Sequence, residues 1–274
     1  MKLKELRSRI NLTQKQLAEK MQTTQQTVAR WESGKTVLNV DQIRDLCLVL
    51  QCTADELLGW ETDPSDISAS PFSAVRSELP FGTLQIKTTS LEREYPIGEE
   101  ARKSLLSQMD AFDPTSDGNP SAWLHTWTLN NKLLLINPAY LATFRLISDD
   151  VEAMPEFENV EVYRALEDWP DVAVTGKTRQ ACDEVAAKLG SEEEVFRLVS
   201  ETCVTYSDGT VNWYRLSDET ATAWYSAIMA LDNIGQKSFV QIDEVGNYDV
   251  MFANLGHVAL VEIPANLFFR LTSS

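Results

Sequence analysis

The fold of the N-terminal part is decided by residues 12–36, LTQKQLAEKMQTTQQTVARWESGKT. Two short helical patterns stand in this stretch. The first follows Thr13, with Gln16 at the spacing of a capping box, and the second follows Thr24. Apolar residues recur every three or four positions in both patterns, at Leu17, Ala18, Met21, Val28 and Trp31. The segment is therefore predicted to be two packed helices joined by a tight turn.

Three more helical patterns surround this pair. One precedes the pair, and the other two follow it, starting after Asn39 and after Thr53. Gln42 and Glu56 stand at the matching capping-box positions. Repeated cap spacings of this kind indicate helix starts more strongly than any single one. We predict an all-α head of five helices over residues 1–60.

The second helix of the pair presents long polar side chains at its front. Gln25 and Gln26 lie in its first turn, opposite the apolar side, and a glutamine can bond both N6 and N7 of adenine in the major groove. Arg30 follows one turn later and can reach a guanine or a phosphate. Lys35 and Thr36 come after the helix, where backbone phosphates usually lie. The pattern predicts a helix that contacts DNA bases; the alternative is a solvated polar face in a protein–protein module.

The arrangement resembles the Cro/C1-type (XRE) helix-turn-helix family of phage and bacterial repressors over residues 1–60, and the segment TTQQTVARWESGKT is similar to that of lambdoid phage repressors. The resemblance implies that Gln14 touches the DNA backbone or a base. It also implies base contacts for the pair Gln25 and Gln26, and for Arg30 as a third, later position. The predicted DNA-binding residues are Gln14, Thr24, Gln25, Gln26, Thr27, Arg30, Lys35 and Thr36.

The turn between the two helices departs from the family pattern. Family members usually carry a glycine there, whereas this chain has Gln22 or Thr23. A non-glycine residue can adopt the left-handed conformation at modest cost, so the motif is retained.

Charge is distributed unevenly along the chain. The net charge is −17, yet residues 1–40 hold eight basic and three acidic side chains, a net charge of +5. Residues 61–274 hold 15 basic and 34 acidic side chains, a net charge of −19. A basic head on an acidic body orients itself on DNA because phosphate repels the body. The predicted partner of the head is double-stranded DNA.

Composition argues against several other classes of protein. No run of about 18 apolar residues is present, and the charged N-terminus MKLKELRSRI lacks the apolar stretch of a signal peptide. We therefore expect a cytoplasmic protein with no membrane partner. The four cysteines lack C-x-x-C spacing and fit reduced, partly buried thiols. His125 and His257 are too isolated for a zinc site, so we expect neither a metal nor a cofactor.

The rest of the chain is divided by composition and by an apparent internal repeat. Residues 61–79, rich in Ser, Pro and Asp, are predicted to be a linker. Residues 80–150 and 196–274 are predicted to be two α+β repeats, with residues 151–195 as a connecting segment. The predicted fold is multidomain: an all-α head, then an α+β body with an internal duplication.

Matching helices and turns carry the duplication. The patterns IGEEARKSLLSQMDAFD and LSDETATAWYSAIMALD lie 119 residues apart, and each has two acids in its first turn. A strand pair precedes each helix and a β-rich stretch follows it. Asn137 and Asn254, which stand 117 residues apart, occupy equivalent turns in those stretches.

Two finer predictions concern the body and the connecting segment. The pattern N-L-x-x-V-A-L-V-E-I of residues 254–263 resembles that of Sm-like small β-barrels, so such barrels are an alternative form of the body. In the connecting segment, VEVYRAL is predicted to be a strand and RQACDEVAAKL a helix.

No catalytic constellation is visible. A self-cleaving repressor would need a serine activated by a lysine, but the body has few lysines and no glycine-rich serine motif. The protein is predicted not to be an enzyme. One aromatic group could line a ligand pocket, although core packing is the favoured interpretation: Trp123, Trp127, Trp213, Tyr214, Trp224 and Tyr225.

The predicted function is sequence-specific transcriptional regulation, repression in particular, by a homodimer or higher oligomer held together by the acidic body. Two alternatives stay open. In one, the chain is an antitoxin-like module whose acidic body binds a basic protein partner while the head regulates its own operon. In the other, the chain is a ligand-responsive sensor with the aromatic group as its pocket.

Overall fold

The computed structural model describes residues 1–59, 80–110, 112, 123–148, 153–168, 173–231, 239–243, 251–265 and 267. Two compact units are formed. One consists of Met1–Ser77 and Glu158–Val195, and the other consists of Glu78–Phe157 and Phe196–Ser274. The chain therefore passes from one unit to the other three times. The predicted linker, residues 61–79, lies outside the described residues.

The helices, in chain order, are α1 (Leu3–Arg9), α2 (Gln14–Lys20), α3 (Gln25–Glu32), α4 (Val40–Leu50), α5 (Ala54–Leu58), α6 (Glu99–Asp110), α7 (Val160–Glu167), α8 (Gly176–Leu189), α9 (Glu192–Ser200) and α10 (Asp218–Met229). The strands are β1 (Pro80–Thr88), β2 (Glu92–Gly98), β3 (Leu124–Trp127), β4 (Lys132–Ile136), β5 (Leu141–Ile147), β6 (Thr202–Tyr206), β7 (Val211–Tyr214), β8 (Phe239–Ile242), β9 (Met251–Asn254) and β10 (Val258–Pro264). Short 3-10 turns cover Pro138–Tyr140 and Leu255–His257.

The five helices predicted for the head are confirmed, and their caps begin them where the sequence indicates. Thr13 and Asn39 form complete capping boxes at α2 and α4. The side chains of Thr24 and Thr53 accept hydrogen bonds from the backbone three residues further on, at α3 and α5. Each cap satisfies an amide that the helix itself leaves without a partner, so these residues determine where the helices start.

The turn between α2 and α3 is made by Gln22, whose φ of 52° is left-handed. The next amide, that of Thr23, donates to the carbonyl of Ala18 at 2.9 Å and closes the end of α2. Gln22 thus takes a left-handed conformation that glycine adopts most readily. At its other end, α3 is followed by Gly34, also left-handed with a φ of 69°.

One hydrophobic core joins the five helices. Its buried members come from every helix and from the α4–α5 turn: Leu3, Leu6, Leu17, Ala18, Val28, Trp31, Leu46, Cys47, Leu50, Cys52 and Leu57. The apolar side of α3 contributes Val28 and Trp31, which leaves the side carrying Gln25 and Gln26 facing outward. Burial of one side of α3 therefore decides which side remains accessible.

The prediction of a strand at VEVYRAL is wrong, because these residues form α7. Asn159 caps the helix by accepting a hydrogen bond from the amide of Glu161 at 2.9 Å. Val162, Tyr163 and Leu166 are buried at helical spacing. The β-branched and aromatic residues that favour a strand are weak signals, and tertiary packing overrides them here. The helix predicted at RQACDEVAAKL is confirmed as part of α8.

Helices α7 and α8 pack against α4 and α5 within the first unit. Asp45 of α4 accepts hydrogen bonds from the amide of Thr178 at 2.9 Å and from its hydroxyl at 3.0 Å. Arg44 forms a salt bridge with Asp168 at 2.7 Å. At α5, the amide of Ala54 donates to Glu161 at 3.0 Å. Residues 158–195, predicted only to connect the two repeats, thus also complete the unit that contains the head.

The second unit contains three antiparallel sheets among the described strands. Their orders are β2-β1-β5, β3-β4-β10-β6-β7 and β8-β9. A core between the first two sheets and α6 includes Leu84, Ile97, Leu105 and Leu134. The unit is therefore an α+β body, as predicted.

Each half of this body has the same order of elements: two strands, a helix, two strands, a 3-10 turn and a final strand. The Sm-like barrels are not formed, since the described strands make open sheets. The last strand of the second half, β10, lies between β6 of its own half and β4 of the other half. The pairing of β10 with β4 joins the two halves in one open sheet.

Prediction: Gly176→Ala should destabilise the first unit by about 2–4 kcal/mol, whereas Gly190→Ala should cost about 1–2 kcal/mol. Both glycines have positive φ, 67° and 80°. A Cβ at Gly176 would lie 2.2 Å from an oxygen of Asp45, while a Cβ at Gly190 would meet nothing within 4 Å. The substitution at Gly176 therefore adds the loss of the Asp45–Thr178 bonds to the backbone strain.

Urea denaturation of the full chain, followed by far-UV circular dichroism, measures both variants. Equal costs for the two substitutions would contradict the role assigned to Asp45.

Candidate nucleic-acid interface

Helix α3 presents an exposed polar face. The side chains of Gln25, Gln26 and Arg30 are exposed, and Lys35 and Thr36 are exposed just beyond its end. Val28 and Trp31, on the opposite side, are buried in the core of the unit. The five exposed residues thus project outward from a helix whose position is held by packing.

Two of the predicted contact residues take part in the cap of α3. The amide of Thr27 donates to the hydroxyl oxygen of Thr24 at 3.2 Å, and the two hydroxyls lie 2.9 Å apart. Thr24 is exposed and Thr27 is half-buried. These threonines set the start of α3 and therefore the direction in which Gln25 and Gln26 project.

The carboxylate of Glu32 joins the ends of three helices. It accepts a hydrogen bond from Nε of Arg7 at 2.6 Å and from the side-chain amide of Gln14 at 2.8 Å. Arg7 also donates to the carbonyl of Leu12 at 2.5 Å. Burial raises the pKa of Glu32, but the hydrogen bonds from Arg7 and Gln14 outweigh it and lower the pKa below its ordinary value. Gln14, predicted as a DNA contact, is thus half-buried and already bonded within the unit.

The basic residues of the head have different surroundings. Arg7 and Arg9 form salt bridges with Glu32 and Glu56, so their charges serve the fold. In contrast, Lys20, Arg30 and Lys35 are exposed, with no ion pair among the described residues. These three cations are available to an external anion.

Two apolar side chains that the sequence analysis did not single out are exposed near the start of α4, Val37 in the connection before it and Val40 at its first position. Val37 is almost fully exposed and Val40 is largely exposed. Val37 follows Lys35 and Thr36 directly in the chain, and Val40 comes three residues later. Val37 carries a signal in the sequence, because it lies between the apolar patterns of α3 and α4. Val40 carries none, because it stands at helical spacing from Ile43 and Cys47.

With this geometry in place, the comparisons with known proteins identify the head. The profile of a helix-turn-helix family matches residues 3–57. That stretch is a helix-turn-helix of the XRE type. The match extends from α1 to α5, as the resemblance predicted.

A curated relative is the HTH-type transcriptional activator BcrR of Enterococcus faecalis, 40% identical over 60 residues. The similar stretch covers 22% of this chain and 29% of BcrR, so the chain spans less than a third of the length of that relative. No solved structure matches the chain. The similarity therefore concerns the helix-turn-helix and not the body.

Away from the helix-turn-helix, the aromatic residues of the body have mixed environments. Trp123, Tyr214 and Trp224 are buried, and Nε1 of Trp224 donates to the carbonyl of Gln241 at 2.9 Å. Trp213 is exposed, with Nζ of Lys132 at 5.9 Å from its ring centre. These positions favour packing for the three buried residues.

Among the described residues, no group of three or more His, Cys, Asp or Glu side chains could hold a metal ion. Burial lowers the pKa of His125, whose ring lies edge-on to Tyr225 at 6.2 Å. No helix in the described part of the chain is long and apolar enough to span a membrane. All four cysteines are buried and without a disulfide.

Prediction: Glu32→Gln should destabilise the helix-turn-helix by about 1.5–3 kcal/mol at neutral pH. Because the folded pKa is lowered, the stabilisation by Glu32 is fully present above the unfolded pKa of about 4.3 and is lost as pH falls through the folded pKa. The stability difference between wild type and variant should therefore shrink in acid.

Chemical denaturation between pH 3 and pH 7 measures this difference. The matched control is Glu19→Gln, since Glu19 is exposed and its nearest cation, Lys15, is 4.0 Å away. A difference that stays constant over the pH range would contradict the assignment.

Proposed function

We propose that the chain is a sequence-specific DNA-binding transcriptional regulator, a repressor in particular, that acts as a homo-oligomer. One observation carries the proposal: Gln25 and Gln26 are exposed at the first turn of a capped helix whose opposite side is buried. Long amides in this place serve no packing role. They match the donor and acceptor pattern of adenine in the major groove.

The proposed contacts divide into base readers and phosphate binders. Gln25, Gln26 and Arg30 extend from the exposed face of α3 and reach base edges. Lys35 and Thr36 bind phosphate on one side of the helix, and the caps Thr24 and Thr27 contact the backbone near its start. Gln14 has a different role, because the hydrogen bond that its side-chain amide donates to Glu32 holds the end of α3 in place. Its contribution to DNA binding is then mainly one of positioning.

The body supplies the proposed self-association. A single small head makes few contacts with DNA, whereas two tethered heads bind two half-sites with a raised effective concentration at the second. Loss of self-association should weaken operator binding by on the order of a hundredfold. The acidic body also disfavours binding in the wrong orientation, since it is repelled by phosphate.

We propose that the body arose by duplication of a single α+β module. The strand pairings support this, because β1 pairs with β2 and β5, and β6 pairs in the same way with β7 and β10. The helices α6 and α10 are both 12 residues long. At the turns, Asn137 and Asn254 each accept a hydrogen bond from the amide two residues on, with φ values of −82° and −83°.

The decisive experiment is selection of bound DNA from a random pool with the full chain. An enriched sequence, and a symmetric one in particular, is expected. Placing that sequence at a promoter then gives the direction of regulation: repression lowers a reporter, whereas activation, the activity named for BcrR, raises it. Recovery of unenriched DNA would refute sequence-specific binding.

Prediction: Gln25→Ala and Gln26→Ala should each lower affinity for the selected sequence by about 1–3 kcal/mol and leave affinity for random DNA nearly unchanged. Each substitution removes a side chain that is proposed to contact bases. It removes no charge, so the attraction to phosphate is unchanged. Fluorescence anisotropy with both DNAs measures the effect. Gln180→Ala, which removes another glutamine from a helix of the same unit, is the control. Equal losses on both DNAs would show that these residues do not read bases.

Prediction: the affinity for DNA should fall with salt, with a slope of log K against log salt of about −3 per head. The reason is that the side chains of Lys20, Arg30 and Lys35 are exposed, with no ion pair among the described residues. Lys35→Ala should make the slope shallower by about 1, while Lys87→Ala in the body should leave it unchanged. Salt-independent binding would exclude phosphate contacts by this face.

A further inference from the structure

Helix α4 is held on two opposite sides. On one side, Leu46, Cys47 and Leu50 lie in the hydrophobic core of the head. Asp41 and Asp45, one turn apart, lie on the other side of the helix. Both aspartates bind residues at the start of α8, which stand 134 and 133 positions further along the chain. The position of α4 therefore depends on a segment outside the helix-turn-helix.

Two threonines make the contacts from the α8 side. The hydroxyl of Thr175 donates to Oδ2 of Asp41 at 2.6 Å. Thr175 occupies the N-cap position of α8, yet its side chain accepts no hydrogen bond from its own helix, so this hydroxyl serves α4. The amide and the hydroxyl of Thr178, which is fully buried, donate to Oδ1 of Asp45 at 2.9 Å and 3.0 Å. We call these hydrogen bonds, from Thr175 to Asp41 and from Thr178 to Asp45, the α4–α8 clamp.

The start of α4 is also the end of the connection that carries Lys35 and Thr36, the two proposed phosphate contacts. Both side chains are exposed between α3 and α4. At the front of this connection, the amide of Lys35 donates to the carbonyl of Arg30 in α3 at 2.9 Å. At its rear, Asn39 and Gln42 form the capping box that starts α4, with hydrogen bonds of 3.1 Å and 2.8 Å. The place of the connection is therefore set by α3 on one side and by α4 on the other.

We propose that α8 positions part of the DNA-binding site: through the α4–α8 clamp it fixes the start of α4, and thereby the connection that carries Lys35 and Thr36. The inference rests on the proposed DNA binding and extends that site to a segment outside the helix-turn-helix. Thr175 and Thr178 are positioning residues, which act on DNA binding only through α4.

Fixing this connection in advance favours binding. A segment that becomes ordered only in the complex loses conformational freedom at that moment, and this cost lowers the affinity. Asp41 and Asp45 carry negative charges, which phosphate repels, so they are unsuited to contact DNA themselves. Their hydrogen bonds to α8 account for two acidic side chains that follow Lys35 and Thr36 within a few positions.

Asp45→Ala in the full chain tests the proposal, because two consequences of this substitution have opposite signs. Removing a negative charge from the head would by itself strengthen binding to the selected sequence. Loss of the α4–α8 clamp should instead weaken binding, by about threefold to tenfold. Fluorescence anisotropy measures the affinity at a temperature where circular dichroism shows a native chain. A folded variant that binds as tightly as wild type, or more tightly, would overturn the proposal.

A double-mutant cycle shows where the effect acts. In a chain that already carries Lys35→Ala and Thr36→Ala, Asp45→Ala should lower the affinity by less than about twofold, because the contacts that the clamp positions are gone. In a chain that carries Gln25→Ala, it should keep its full effect. Equal losses in the two backgrounds would indicate a general loss of stability and would contradict positioning of the connection.

Thr175→Val/Thr178→Val removes both hydroxyl donors without changing the charge of the head, and it tests the clamp even if Asp45→Ala does not fold. The affinity should fall by about twofold to fivefold, and Thr175→Ser/Thr178→Ser, which returns both hydroxyls, should restore it. Thr205→Val is the matched control, because Thr205 is a buried threonine of the other unit whose hydroxyl has no hydrogen-bond partner among the described residues. A valine pair that binds DNA as the control does would refute the role of the hydroxyls.

Hydrogen exchange tests the clamp without DNA. The amides of Asn39, Gln42 and Ile43 are hydrogen-bonded at the start of α4. In Asp45→Ala they should exchange about fivefold faster than in wild type, whereas the amides of α3 should be unchanged. Unaltered exchange at the start of α4 would overturn the inference and leave the proposed DNA binding in place. A wild-type chain that enriches no sequence in the selection would refute the proposed function, and the exchange rates would still decide whether the clamp holds α4.

Discussion

A single carboxylate ties the end of α3 to the two helices that precede it. Glu32, in the last turn of that helix, accepts hydrogen bonds from α1 through Arg7 and from α2 through Gln14. Removing one partner of this half-buried ion pair would leave the other charge without compensation, which costs more than the intact pair gains. These hydrogen bonds hold the three helices in one arrangement. The direction in which the exposed face of α3 points is therefore set by contacts on its buried side.

The position of α3 relative to α2 is also set locally, at Gln22. Gln22 has a left-handed backbone although it carries a side chain, which costs only a modest amount of free energy. The carboxylate and the turn act at opposite ends of α3. Together they fix both its start and its finish, which is the requirement for a helix that must present side chains to a groove.

Much of the head could be predicted because its signals are local. Caps such as Thr13 and Asn39 and the apolar spacing of α2 and α3 each lie within one turn of the residues they organise. The strand predicted at VEVYRAL failed for the opposite reason, since α7 is decided by packing against α4 and α8. The hydrogen bond from Thr178 to Asp45 joins residues 133 positions apart, and neither segment contains a sequence pattern that predicts it. Similarly, the place of Gln14 follows from Glu32, which is 18 positions away.

Because residues 158–195 return to the unit that contains the N-terminus, that unit is discontinuous in the chain. During synthesis, α1 to α5 leave the ribosome long before α7 and α8 exist. At about 5–20 residues per second, the roughly 130 residues between α5 and the end of α8 take on the order of 6–26 seconds to make. Throughout that interval the surface of α4 that carries Asp45 has no partner from α8. The nascent head must therefore be stabilised by its own hydrophobic core until the first half of the body has been translated. Only then can α7 and α8 pack against α4 and α5 and complete the unit.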